Sequence, residues 1–197
     1  MPVSKTLTLC LAITLMLATS ALTSMALQLA AGHRPLEPGV YLEGLFLYNG
    51  FYFFMLCVLA IAVQTLSPGR WSGMVVLLLV FIGLLSLEPL GFEHVLYGFR
   101  IPAVVYSDMN GFGHFMGETF SLIAYWGFFC ILLLVLSHLF SVRGTAQNGA
   151  ARLAAARLRV TPRVTWISVA AATGVVAIGA WIFWNTNVIN RYETAAS

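Results

Sequence analysis

The sequence predicts an all-α integral membrane protein with about five transmembrane helices. Three observations carry that expectation. Of the 197 residues, 60% are hydrophobic and only 9% are charged. The apolar residues gather in runs near the ~20 residues a helix needs to cross a hydrocarbon core. None of those runs contains Asp, Glu, Lys or Arg. A soluble domain carries about 25% charged residues, so a soluble enzyme and a disordered chain are both excluded. A net charge of +3 gives no basic surface for nucleic acid.

The five spans are expected at about 6–31, 45–66, 71–87, 119–140 and 165–184. The first follows Lys5 and resembles a signal peptide, but it is longer than the usual apolar region of about 7–15 residues. It is therefore read as a retained helix. The second and third are joined by Ser67-Pro68-Gly69-Arg70, a tight turn that predicts a helical hairpin. The third is the shortest and stops at Glu88-Pro89. In the fifth, Gly174 and Gly179 suit close helix packing. Strands are a poor reading, because lipid-facing barrel strands alternate apolar and polar residues and these runs do not. Cys10, Cys57 and Cys130 are widely spaced in apolar runs, as small core residues and not as a disulfide or metal framework.

Charge orients the chain. Lys5, Arg70, Arg143, Arg152, Arg157, Arg159 and Arg163 fall on one side, 7 of the 10 basic residues. Arg34, Arg100, Arg191 and all 7 acids fall on the other. The positive-inside rule then places the N-terminus inside and the C-terminus outside. The whole chain, 1–197, reads as one membrane domain with a basic cytoplasmic linker at 141–164 and a short external tail at 185–197. Ala150–Leu158 in the linker has the composition of a basic amphipathic helix on the membrane surface, or of a solvated linker that sets orientation. The outer connection Glu88–Gly117 is long and rich in aromatics, which favours short interfacial or re-entrant helices.

Chemistry is sparse. No P-loop, H-E-x-x-H, C-x-x-C or G-x-S-x-G pattern is present. His114 and Glu118, four apart, would share a helix face, and with Asp108 and His94 could hold a metal. The simpler reading is a capped loop, with Asp108 or Asn110 as cap and Gly111 and Gly113 in its turn. Asp108-Met109-Asn110-Gly111 begins like a calcium loop, but the later ligands are missing. His138 reads as an interfacial histidine, and Gln64 and Ser137 as end-of-helix polar residues. Spans without a charge argue against an ion-coupled carrier, which accepts the cost of a buried ionisable group for its function.

Three stretches resemble one family. They are Gly39-Val40-Tyr41-Leu42-Glu43-Gly44-Leu45-Phe46, the region from Leu90-Gly91-Phe92-Glu93-His94 to Tyr106-Ser107-Asp108-Met109-Asn110-Gly111-Phe112-Gly113-His114-Phe115, and Trp184-Asn185-Thr186-Asn187-Val188-Ile189-Asn190-Arg191-Tyr192. Val142-Arg143-Gly144 opens the linker in a similar way. Together they resemble the membrane region of bacterial proteins that join an ABC-type-2 exporter permease to a membrane-alanyl-type zinc aminopeptidase. The likeness covers about residues 10–193. The peptidase zinc ligands and catalytic glutamate have no counterpart here, and the chain resembles the last five helices of a six-helix permease half.

The resemblance implies a non-catalytic permease-type subunit of an ABC exporter in the bacterial inner membrane, with no cofactor of its own. Its implied partners are membrane lipids, a separate ABC ATPase, another permease half or further copies of itself, and a periplasmic peptidase. Arg70, Arg143, Arg152, Arg157, Arg159 and Arg163 would form the inner coupling or lipid surface. Tyr106, Ser107, Asp108, Asn110, Gly111, His114 and Glu118 would form the outer functional motif. The competing reading is an anchor or scaffold for a peptidase or another partner. A membrane enzyme built on the outer His and acidic residues comes third.

Overall fold

A computed structural model describes residues 2–32, 37–102, 106, 111–113, 116–141 and 149–190 of the chain. The regular elements among them are helices: α1 Pro2–Ala30, α2 Pro38–Leu66, α3 Arg70–Ser86, α4 Met116–Phe140, α5 Gly149–Leu158 and α6 Pro162–Ile189. Four of these, α1, α2, α4 and α6, are long and apolar enough to cross a membrane. The expected third span is α3, whose 17 residues sit at the short limit for crossing. The chain is a multi-pass all-α membrane protein.

Helix boundaries follow local chemistry. The Pro-Gly turn leaves three residues between α2 and α3. There Ser72 Oγ accepts from Gly69 N at 3.0 Å, satisfying a main-chain donor at the start of α3. Thr161 caps α6, its Oγ1 accepting from Val164 N at 3.4 Å, and Pro162 occupies a first-turn position where no N–H is needed.

Two boundaries differ from expectation. α2 begins at Pro38 instead of near Leu45, because Pro38 starts a helical turn and Leu42–Asn49 continues it with π-helical, i→i+5 spacing. Asn49 Nδ2 donates to Gly44 O across that wide segment at 2.9 Å. α6 likewise runs past Trp184 through π-helical turns at Asn185–Ile189, so the expected external tail begins as helix.

The connection after α3 also differs. Instead of short interfacial helices, its described residues form successive turns. Leu87 O accepts from both Leu90 N and Phe92 N, at 3.2 and 2.9 Å. Gly91, at φ +87°, supplies the left-handed residue this reversal requires. Pro89 and Pro102 cannot donate to a helical ladder.

α2 and α4 form the centre. α6 packs along α4, α1 lies on α2 and touches α4, and α3 leans on α2. Met55 and Val58 of α2, Leu122, Trp126 and Cys130 of α4, Ile182 of α6 and Phe99 of the connection form the buried core. The glycines of the expected fifth span work as predicted. A Cβ on Gly174 would lie 2.7 Å from the Phe128 ring, and one on Gly179 would lie 3.1 Å from Tyr125. Most other large apolar residues point outward, such as Leu11 and Met16 of α1 or Leu78 and Ile82 of α3. That surface suits a hydrocarbon solvent. Hydroxyls within the spans donate back to their own helix, as Thr14 Oγ1 does to Cys10 O at 2.8 Å and Ser137 Oγ to Leu133 O at 2.8 Å.

Helix alternation gives the bundle two ends. One carries the Pro-Gly turn and α5 and is rich in arginine. The other carries the turns after α3 and is rich in aromatic residues.

Candidate functional site: two stitched ends

At the arginine-rich end, the main-chain carbonyls of the last turn of a helix have no intrahelical partner. α5 supplies them. Arg152 donates through Nη1 to Leu66 O at 3.0 Å and through Nη2 to Thr65 O at 2.5 Å, closing the end of α2. Arg159, just past α5, donates from Nη1 to Leu139 O at 3.1 Å and also to Ser141 O, closing the end of α4. Both guanidinium groups sit where the negative end of a helix dipole favours a cation. The Ala–Leu background of 150–158 does form the expected short helix, with Ala156 buried against the bundle. Arg157, Arg163 and Arg70 remain exposed at this end, as do Leu158, Trp71 and Trp166. His138 is exposed in the last turn of α4. Arg143 lies outside the described residues.

The aromatic end is held by rings, by hydrogen bonds of uncharged donors and by an ion pair. Tyr106 Oη donates to Glu37 Oε2 at 3.0 Å, at the start of α2. Its ring meets Phe112 edge-on at 5.4 Å, and Phe112 meets Tyr48 of α2 at 5.3 Å. Gly111, at φ +58°, makes the turn before Phe112, as expected of a glycine there. Glu118 is exposed in the first turn of α4, where a carboxylate suits the positive end of the dipole. Ser107, Asp108, Asn110 and His114 lie outside the described residues.

His94 makes the second stitch. Its Nδ1 accepts from Leu96 N at 3.3 Å, which assigns the proton to Nε2. Nε2 then donates to Thr186 Oγ1 at 3.0 Å, and Thr186 passes its own proton to Ile182 O at 2.9 Å. Asn187 Nδ2 donates to Phe183 O at 3.0 Å and to Thr186 Oγ1 at 3.1 Å. The imidazole lies between Tyr97 and Phe183, at 5.7 and 5.8 Å. Burial lowers its pKa below the ordinary histidine value. Both ring nitrogens are thus engaged within the fold. Among the described residues no group of three His, Cys, Asp or Glu could hold a metal.

Three sequence stretches are therefore joined in space. The region around Gly44–Tyr48 meets Phe112, and His94 meets Thr186 and Asn187. Both contacts fall on or beside the π-helical segments of α2 and α6, and such widened turns are frequent at functional positions.

Residues without an expected role complete the end. Phe99 is 5% exposed and adopts φ +45°, a left-handed conformation that a bulky side chain rarely takes. This kink sends the Phe99 ring inward onto Trp126 at 5.0 Å and Phe129 at 6.1 Å. Arg100 turns back outward and pairs with Glu88 at 2.7 Å. Below Phe99 a cavity of about 640 Å³ opens, lined by Leu59, Val80, Leu84, Trp126 and Phe129 among others.

These features define a polytopic helical membrane protein whose two ends are fastened by different chemistries. The chain matches no family model, no curated protein and no solved structure.

Proposed function

We propose that the chain is a non-catalytic permease-type subunit of a bacterial ABC exporter, with ATP hydrolysed by a separate partner bound at the arginine-rich end. The observation that supports this reading is the mounting of α5. A helix lying across the ends of α2 and α4 and hydrogen-bonded to both transmits a push from a cytoplasmic partner to the two central helices. Arg152 and Arg159 hold it, while Arg70, Arg157 and Arg163 face outward. In this reading the arginine-rich end is cytoplasmic. The aromatic end faces the periplasm, where a peptidase could dock, and a second permease half or a second copy completes the path.

The alternative is an anchor for a peptidase or another partner. It draws support from the absence of any Asp, Glu, Lys or Arg along α1, α4 and α6 between their end turns, which leaves no polar route through those helices. Co-purification from native membranes in mild detergent separates the two. The permease reading expects an ATPase at defined stoichiometry, lost when Arg70, Arg157 and Arg163 are changed together to Glu. Recovery of the chain alone, or with a peptidase and no ATPase, overturns it in favour of the anchor.

A further inference from the structure

The cavity under Phe99 is lined by Leu59 of α2, Val80 and Leu84 of α3, Trp126 and Phe129 of α4 and residues of the connection, so it lies between α3 and the α2–α4 pair. Its walls are aliphatic and aromatic. They run from Leu87, just past the end of α3, through Leu84 to Val80, about 10 Å along the helix axis. Its volume, about 640 Å³, falls within the range of built ligand sites. An apolar groove between the helices of a membrane bundle suits an acyl chain.

The aromatic end of the groove is not apolar. Leu87 and Phe99 both line it, and their sequence neighbours are Glu88 and Arg100. The ion pair therefore joins the two chain segments that supply Leu87 and Phe99 to the groove. Both side chains stay accessible, 59% for Glu88 and 48% for Arg100. Such an exposed pair contributes little to folding on its own. It presents one positive and one negative group side by side, with a net charge of zero. An anionic headgroup would gain one contact and suffer one repulsion. A zwitterionic headgroup with a phosphate and a primary amine matches both groups, the phosphate on the Arg100 fork and the amine on the Glu88 carboxylate.

We propose that this groove is a binding site for one amine-bearing zwitterionic phospholipid, with an acyl chain between α3 and α4 and the headgroup on Glu88 and Arg100. Phe99 sets the geometry. Its left-handed backbone places the ring at the top of the acyl slot and aims Arg100 at the headgroup in consecutive residues. The site does not depend on the permease reading.

Native mass spectrometry of the full chain, released from detergent after titration with phosphatidylethanolamine or phosphatidylglycerol, tests it. The expected result is one phosphatidylethanolamine retained per chain, with phosphatidylglycerol held about tenfold more weakly, the equivalent of one charged hydrogen bond. Arg100→Gln and Glu88→Gln should each erase that preference without changing helix content. Val80→Trp should fill the slot and abolish retention, whereas Leu79→Trp, on an exposed face of α3, should leave it intact. If Val80→Trp does not fold, the two charge variants decide alone. Equal retention of the two lipids by the unaltered chain, or an undiminished preference in both charge variants, overturns the proposal.

Discussion

The two ends of this bundle solve the same problem with opposite means. Each must satisfy main-chain groups where helices stop and the chain turns back. The arginine-rich end does it with two charged forks on carbonyl oxygens, Arg152 on Thr65 and Leu66 and Arg159 on Leu139 and Ser141. The aromatic end uses a neutral imidazole, a hydroxyl, an amide, a phenol on the Glu37 carboxylate and rings packed edge to face. Two guanidinium forks, one on α5 and one just past it, fasten two spans at once. The imidazole fastens one loop to one helix and is sensitive to acid.

Breaking the stronger end should give the largest effect. Hydrogen bonds to charged groups contribute about 1.5–3 kcal/mol each. Changing Arg152 and Arg159 together to Gln, counted as one such bond lost per arginine because the amide can keep the other, should therefore destabilise the chain by about 3–6 kcal/mol. Thermal unfolding in micelles reads this, and limited proteolysis should cut first around α5. Truncating Phe99 to Ala at the other end removes a buried ring and should cost about 2–4 kcal/mol, with some loss returned by relief of its backbone.

Thr186→Val, which keeps shape and removes the partner of His94, should cost about 1 kcal/mol. Faster amide exchange at Leu96 would report the loosened loop. The pH dependence sharpens the contrast. Burial lowers the His94 pKa from 6.5, so the unfolded chain binds the proton more readily than the docked loop. The stabilisation is complete above about pH 6.5 and declines as pH falls toward the lowered value. His94→Asn should remove that decline while the arginine-rich end stays unchanged. The smallest effect belongs to Glu88→Gln, within about 0.5 kcal/mol because the pair is exposed.

Much of this organisation was legible in the chain itself. Uninterrupted apolar runs located the long helices, the Pro-Gly turn located the hairpin, and Gly174 and Gly179 foretold the tight α4–α6 contact. The alanine-rich arginine stretch foretold α5. What escaped was long-range. Nothing near Arg152 or Arg159 says that their partners are carbonyls on other helices, because a main-chain acceptor leaves no residue signature. His94 and Thr186 each stood in a stretch that attracted notice, but their pairing spans 92 residues. The start of α2 was missed because exposed Glu43 breaks the apolar run while the helix continues through it. Of the outer motif, Tyr106, Gly111 and Glu118 have been placed, and Ser107, Asp108, Asn110 and His114 lie outside the described residues.

The brevity of α3 has a consequence for the surrounding bilayer. Its 17 residues reach about 25 Å, less than the ~30 Å of a typical hydrocarbon core. The 25 residues of α4 reach about 37 Å and must tilt to fit the same slab. A bilayer that α3 spans must thin beside it, or the flanking residues must reach out to the headgroups, at a cost of fractions of a kcal/mol per Å of mismatch.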